Sequence, residues 1–207
     1  MAEHLLPHNT LDVSLLQPGD ILLEANPTDM PVLRYTIFWS HVGIVGTRGG
    51  VIDAVREPRG EGQAAQAWFQ VQEAPLSSYL LAYDILAVRP RLPAEARLAA
   101  AQFAESKLGA PYAPSVRRIV VGRRDAGAYS CASLMWQAYQ RQGLDLAPAP
   151  AWCPNLNVIP LWLARDPQVE IIARGTRYAV IPPRLRRLRA ERWWVSRVVG
   201  ARLQDAQ

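Results

Sequence analysis

The chain has 207 residues, of which half are apolar and a fifth are charged, and its formal net charge is +5. This balance is typical of one globular domain that is long enough to bury its own core. The two cysteines are too few for a disulfide scaffold or a cysteine-ligated zinc site, although a single bridge between them is left open. The chain starts without a charged leader or an apolar signal segment, and no window approaches about 18 uninterrupted apolar residues. A cytoplasmic protein is therefore expected, with export that needs no cleaved leader left open.

Strand patterns come early and late in the chain. Pro18 and Gly19 precede a predicted strand from about Asp20 to Ala25, and the runs HVGIVG and VIDAV, separated by TRGG, predict a hairpin. Further strands are predicted at YDILAVRP and VEIIARG. The stretch EPRGEGQAAQAWFQVQEAPLSSYLL, between VIDAV and YDILAVRP, is mixed in pattern and is interpreted as rich in loops.

Two helices are predicted between these strands. The first begins at Pro93 and is stopped by the sequence Gly-Ala-Pro from Gly109. The second runs from about Ser130 to Gln142, with Ser130 as N-cap and Gly143 as stop. Strands that come first and last with two helices between them predict an α+β domain with a small, mostly antiparallel sheet.

Cys131 is a candidate nucleophile because a helix capped by Ser130 begins with this cysteine. The free N–H groups and the positive dipole end of a helix N-terminus favour a thiolate over a thiol. The backbone N–H of Cys131 can also donate to an oxyanion. On residue type alone, a buried structural thiol is the commoner role. Cys153, in the Pro-rich segment AWCPN, is interpreted as structural.

His41 is the candidate base, since it is the one histidine of three that lies inside a predicted element. Asp53 could orient its imidazole if both side chains share a face of the hairpin. A two- or four-residue loop places them on opposite faces. A three-residue loop over Thr47–Gly49, with Gly49 left-handed, pairs Asp53 with Gly43, diagonal to His41. A packed core histidine is the alternative.

Five motifs occur in an order that resembles the permuted papain-like amidases, the YaeF/YiiX group within the NlpC superfamily of thiol hydrolases. They are, in chain order, PGDILL, SHVGIVG…GGVIDAV, VRP, a helix ending in LGAPY, and YSCASLMWQAY. His41 precedes Cys131 by 90 residues, as in the permuted group, whereas ordinary papain-like enzymes have the cysteine first. The resemblance covers about Gly19 to Tyr139. It implies a circularly permuted papain-like fold, a small sheet or half-barrel packed against helices, in a single domain over residues 1–207 with its core at about 15–180.

The resemblance also implies roles for individual residues. Cys131 would be the nucleophile, His41 the base and Asp53 the residue that orients the base. Ala132 departs from the family pattern, which often has a polar residue directly after the cysteine, so any hydroxyl contribution at that position is lost.

Four residues form the predicted substrate-binding set. Tyr112, in LGAPY, and Tyr129 match aromatic positions around the family's cleft, although either could simply pack. Gly43 leaves room for the imidazole or a substrate, or alternatively for close packing of a helix on the sheet. Ser40, next to the candidate base, completes the set.

The predicted function is cleavage of an amide or ester bond by a thiol hydrolase through a thioacyl-enzyme intermediate, with no metal or organic cofactor. The substrate could be a peptide, a cell-wall peptide, a small amide or a lipid ester, the last because the site also resembles the lecithin:retinol acyltransferase-like enzymes. An apolar tunnel beside Cys131 would favour lipid and acyl transfer, and an open polar groove would favour peptide. A non-catalytic binding domain on the same fold is the remaining alternative.

The C-terminal tail, residues 182–207, is basic and is predicted to be helical. Residues 182–203 contain seven arginines and one glutamate around Trp193 and Trp194, which suits an anionic membrane surface or an acidic partner. Packing of an apolar stripe of the tail on the domain is the alternative. No nucleic-acid-binding motif accompanies the charge, so nucleic acid is not an expected partner.

Overall fold

The computed structural model describes residues 6–25, 39, 41–55, 69–113, 121–124, 127–158 and 160–179. Its strands are β1 (Ile21–Ala25), β2 (His41–Val45), β3 (Val51–Val55), β4 (Gln70–Ala74), β5 (Asp84–Pro90) and β6 (Val169–Thr176). Its helices are α1 (Leu76–Tyr79), α2 (Ala94–Glu105), α3 (Cys131–Gln140) and α4 (Pro160–Leu163), and a 3-10 turn lies at Val13–Leu15. The five predicted strands and both predicted long helices are present.

The strands form one antiparallel sheet in the order β4-β3-β2-β1-β5-β6. Together with the helices, this sheet confirms the α+β class. Successive side chains of a strand point to opposite faces. The face that α2 and α3 cover, here called the helix face, buries Leu23, Val42 and Ile44. The opposite face buries a second apolar cluster, to which Leu22 belongs and to which α1 contributes Tyr79.

The ends of α3 are fixed by the residues that the sequence singled out. The Ser130 hydroxyl accepts a hydrogen bond from the Ser133 N–H, and the Ser133 hydroxyl accepts one from the Ser130 N–H, which makes a capping box. Gly143 follows the helix with a φ of +78°, the left-handed conformation of a helix stop. Near that end the Tyr139 hydroxyl donates to the Gly19 carbonyl, which ties α3 to the turn before β1.

Two elements lie where the sequence predicted loops. The segment QVQEA forms β4, and LSSY forms α1. β4 contains two glutamines and one glutamate, so its composition lacks the β-branched enrichment that marks a strand. Pairing with β3 on one side, and with the segment after α2 on the other, provides the stabilisation that its composition does not.

Some predictions concern residues that the structure does not describe. These residues are Ser40 and the basic tail, residues 182–207. Both cysteines are free thiols, so the disulfide that the sequence left open is not formed. Among the helices of the described ranges, none combines the length and the apolar character that a bilayer crossing requires.

Candidate active site

The β2–β3 hairpin has the three-residue loop that the shared-face hypothesis requires. Val45 pairs with Val51, and the Gly46 N–H donates to the Gly50 carbonyl at 2.8 Å, so Thr47–Gly49 form the loop. Gly49 has a φ of +82°. This register places Asp53 on the same face as His41, as predicted. The predicted three-residue loop and the shared face of His41 and Asp53 are therefore confirmed.

β2 and β3 pair with each other only next to the loop, at Ile44–Ile52 and Val45–Val51. Away from the loop they separate, so residues 41–43 of β2 and 53–55 of β3 are not paired with each other. The Val45 N–H bonds to the Asp20 carbonyl on the β1 side, so by alternation the Val42 N–H points towards β3. There it donates to the Cys131 thiol instead of to a strand partner. The opening between β2 and β3, here called the fork, is where the helix reaches the sheet.

On the opposite face, His41 is held by a buried carboxylate. His41 Nε2 lies 3.0 Å from Asp53 Oδ2, and the side chain of Asp53 is fully buried. The Tyr79 hydroxyl, also fully buried, donates to the same carboxylate oxygen and lies 3.4 Å from His41 Nε2. Because Nε2 is engaged in this way, Nδ1 is the ring nitrogen available to the thiol.

Gly43 makes room for this arrangement. A Cβ atom built on Gly43 would lie 2.4 Å from the Tyr79 hydroxyl oxygen and 2.6 Å from Val51 Cγ1. Both distances are far below van der Waals contact. The tyrosine occupies the space that Gly43 was predicted to leave for the imidazole or a substrate. A direct contact of Gly43 with substrate stays a prediction.

Cys131 is the first residue of α3 and keeps part of its surface exposed. Its position depends on Ser130, whose hydroxyl also accepts a 2.7 Å hydrogen bond from the buried Asn157 amide. In an α-helix the first N–H groups have no acceptor within the helix, so the Cys131 N–H can donate to an acceptor outside it. A free backbone donor at the nucleophile is what an oxyanion site needs.

The backbones of Tyr112 and Tyr129 connect the sheet to the start of α3. Their backbones form a parallel bridge, and the Tyr129 N–H donates to the Pro111 carbonyl at 2.9 Å. On its other side Pro111 bridges to Gln70 at the start of β4. Tyr129 is buried and Tyr112 half-buried, so their observed role is to place the helix N-terminus beside the fork. A contact with substrate stays a prediction for both.

His41 and Cys131 change each other's ionisation. Burial opposes the charge on His41, but the Cys131 thiolate and hydrogen bonds to Asp53 and Cys131 outweigh it and raise the pKa of His41 to about 10. Burial likewise opposes the thiolate, yet the His41 charge, its hydrogen bond and the Val42 N–H lower the pKa of Cys131, against a smaller opposing effect of Asp53. Opposite charges in contact favour both charged forms. The contact therefore favours the thiolate of Cys131 and the imidazolium of His41 over the two neutral forms.

Sequence reasoning missed three polar residues around this pair. They are Tyr79, Asn157, and Gln72, which pairs with Asp53 across β3 and β4. Gln72 is 5% exposed, and within the described ranges neither its Oε1 nor its Nε2 has a hydrogen-bond partner. Gly43 carried the available signal for Tyr79, since a glycine in a strand marks the close approach of another group. No local pattern marks Asn157 or Gln72.

Comparison with known proteins shows similarity in fold. The sequence matches no protein-family model and no curated protein. Among solved structures, the chain is similar to the metalloprotein YiiX from Escherichia coli O157:H7, with a TM-score of 0.52 and 18% sequence identity. The match covers 76% of this chain and 96% of YiiX. The chain therefore has a YiiX-like fold.

Proposed function

We propose that this protein is a cysteine hydrolase with a circularly permuted papain-like fold, which cleaves an amide or ester bond through a thioacyl-enzyme. The observation that carries the proposal is the contact between Cys131, at a helix N-terminus, and His41, whose other ring nitrogen is held by the buried Asp53. The YiiX-like fold and the motif order support the same assignment.

The chemistry follows from these positions. The Cys131 thiolate adds to the carbonyl carbon, and the Cys131 N–H donates to the oxygen that becomes negative. The His41 imidazolium then gives its Nδ1 proton to the leaving amine or alkoxide, and the bond to that group breaks. In the second half, neutral His41 takes a proton from water as the water attacks the thioester. Release of the acid returns thiolate and imidazolium.

Asp53 and Tyr79 act through His41. Asp53 accepts a hydrogen bond from Nε2–H and keeps Nδ1 directed at the thiol, and Tyr79 fixes the carboxylate by donating to it.

YiiX is described as a metalloprotein. In the part of this chain that the structure describes, no three or more His, Cys, Asp or Glu side chains are grouped to hold a metal ion. The described residues therefore do not fit a metal centre.

The first test is the pH dependence of Cys131 alkylation by iodoacetamide, followed at each cysteine by peptide mass spectrometry. The lowered pKa of Cys131 keeps its thiolate populated as the pH falls. The raised pKa of His41 keeps the imidazolium beside it as the pH rises. Cys131 should react roughly ten- to a hundredfold faster than Cys153 at pH 6, because an ordinary thiol is almost fully protonated there.

The variants His41→Ala and Cys153→Ser distinguish activation of Cys131 by His41 from simple exposure of the Cys131 thiol. His41→Ala should slow Cys131 at pH 6 by about tenfold or more and move its inflection to ordinary thiol values. Cys153→Ser should leave Cys131 unchanged. Equal rates at pH 6 in the wild type and His41→Ala would leave a non-catalytic binding domain as the better interpretation.

Acyl transfer to Cys131 is the direct test of hydrolysis. An activated ester such as p-nitrophenyl acetate should give a burst of nitrophenol and should leave an acetyl group on Cys131, which peptide mass spectrometry detects. Cys131→Ser should show neither signal. Steady release without a modified Cys131 would contradict a thioacyl intermediate.

A further inference from the structure

Arg174 lies in the same row of the sheet as the residue that contacts the nucleophile. Arg174 pairs with Leu86, Leu86 with Leu23, and Leu23 with Val42, whose N–H donates to the Cys131 thiol. Paired residues share a face, so all four side chains point to the helix face. Neighbouring strands are about 4.8 Å apart, so the three spacings from β6 to β2 put the backbones of Arg174 and Val42 about 14 Å apart.

Trp39 connects the arginine to the site. The Arg174 guanidinium carbon lies 5.8 Å from the centroid of the Trp39 ring, and Trp39 is buried two residues before His41. Trp39 also belongs to the hydrophobic cluster against which Cys131 packs. Contact with an aromatic ring limits the orientations of a guanidinium while leaving its N–H groups free to donate.

Among the described residues, no acidic side chain pairs with Arg174. Within the same ranges its guanidinium takes part in no salt bridge and no hydrogen bond, whereas that of Arg89 on the neighbouring strand is paired with Asp20 at 2.7 Å. Arg174 is exposed, so a solute can reach it. Partial packing of the side chain still removes some water from the guanidinium and lowers its pKa.

We propose that Arg174 is a substrate-binding residue, which holds a carboxylate of a peptide-like substrate whose scissile carbonyl lies at Cys131. The proposal rests on the proposed function and names its substrate class. A single guanidinium matches one carboxylate in two-pronged geometry. An extended peptide advances about 3.4 Å per residue, so the carboxylate lies roughly two to four residues from the scissile bond.

The test uses thiol reagents whose length and charge are controlled. Iodoacetyl-glycine peptides of one to four glycines are prepared with a free C-terminal carboxylate and, in parallel, as the C-terminal amide. The ratio of the two alkylation rates at Cys131 reports the effect of the charge alone. In the wild type the carboxylate should accelerate alkylation by roughly tenfold at the best length, the size of one charge-assisted hydrogen bond at a partly open site.

Arg174→Gln should bring the carboxylate-to-amide rate ratio at Cys131 to about one at every peptide length. The matched control is Arg141→Gln, since Arg141 also stacks on an aromatic ring, 4.6 Å from the centroid of Phe103, at the end of α3 remote from the thiol. Arg141→Gln should keep the preference. An equal carboxylate-to-amide ratio in the wild type and Arg174→Gln would overturn the proposal.

Two further outcomes are separated by the same design. Slow iodoacetamide alkylation at pH 6 would contradict the proposed function, yet the carboxylate ratio can still be measured at pH 9, where ordinary thiols react. Vesicles of phosphatidylglycerol form the other arm. If they protect Cys131 in the wild type but not in Arg174→Gln, and the peptides show no preference, the site binds a lipid headgroup and the peptide assignment is wrong.

Discussion

The two faces of the β2–β3 hairpin are both buried, but they are built from different side chains. Beneath α3 the hairpin presents the apolar residues Val42, Ile44 and Ile52. The other side of the same strands carries His41 and the fully buried Asp53, together with a glycine at position 43. The helix face thus determines where the thiol lies, and the opposite face determines how the imidazole is oriented. The fork is where the two functions meet.

The largest expected effect comes from the helix face. Leu23 is fully buried there in the central strand β1, and Leu23→Ala should lower the free energy of unfolding by about 3 kcal/mol. The measurement is urea denaturation followed by circular dichroism. Leu98→Ala, at a position of α2 that is 39% exposed, should cost well under half of that. A similar loss in both variants would contradict the packing described for this face.

A pair of tyrosines compares the two faces directly. Tyr79→Phe and Tyr139→Phe each remove a buried hydroxyl that donates a hydrogen bond to protein, so each should cost about 1–2 kcal/mol of unfolding free energy. Of these two hydroxyls, that of Tyr79 donates to Asp53, and that of Tyr139 donates to the Gly19 carbonyl. Tyr79→Phe should therefore also change the pH dependence of Cys131 alkylation, since it alters how the carboxylate holds His41. An unchanged profile in Tyr79→Phe, or a changed one in Tyr139→Phe, would contradict the division between the faces.

The smallest effect should be a gain in stability. Gln72 carries a buried amide for which the described residues provide no partner, so Gln72→Leu should raise the free energy of unfolding by about 1 kcal/mol. Asn157→Leu is the matched comparison, because its amide does donate to Ser130 and its loss should be destabilising. Both are measured by urea denaturation. A loss of stability in Gln72→Leu would show that the amide is hydrogen-bonded in solution.

What could be predicted from the sequence was local. The Ser130 cap and the left-handed Gly49 follow from rules that span a few residues, and the hairpin parity that joins His41 and Asp53 follows from the length of one loop. Tyr79 and Gln72 could not be found in this way. They reach Asp53 through packing on the opposite face and through pairing of β4 with β3, and neither contact leaves a periodic signal in the chain.

Because Cys131 lies at the fork, its alkylation rate at low pH can report on folding. The two halves of the fork site, the separated strands and the N-terminus of α3, come from segments 90 residues apart, so the thiolate has its partner only after this long-range contact has formed. Long-range contacts of this kind close late, because they must overcome the entropy of a long loop. Alkylation of Cys131 at low pH would therefore time the docking of α3 at the fork in a refolding experiment, with Cys153 in the same molecule reporting simple accessibility.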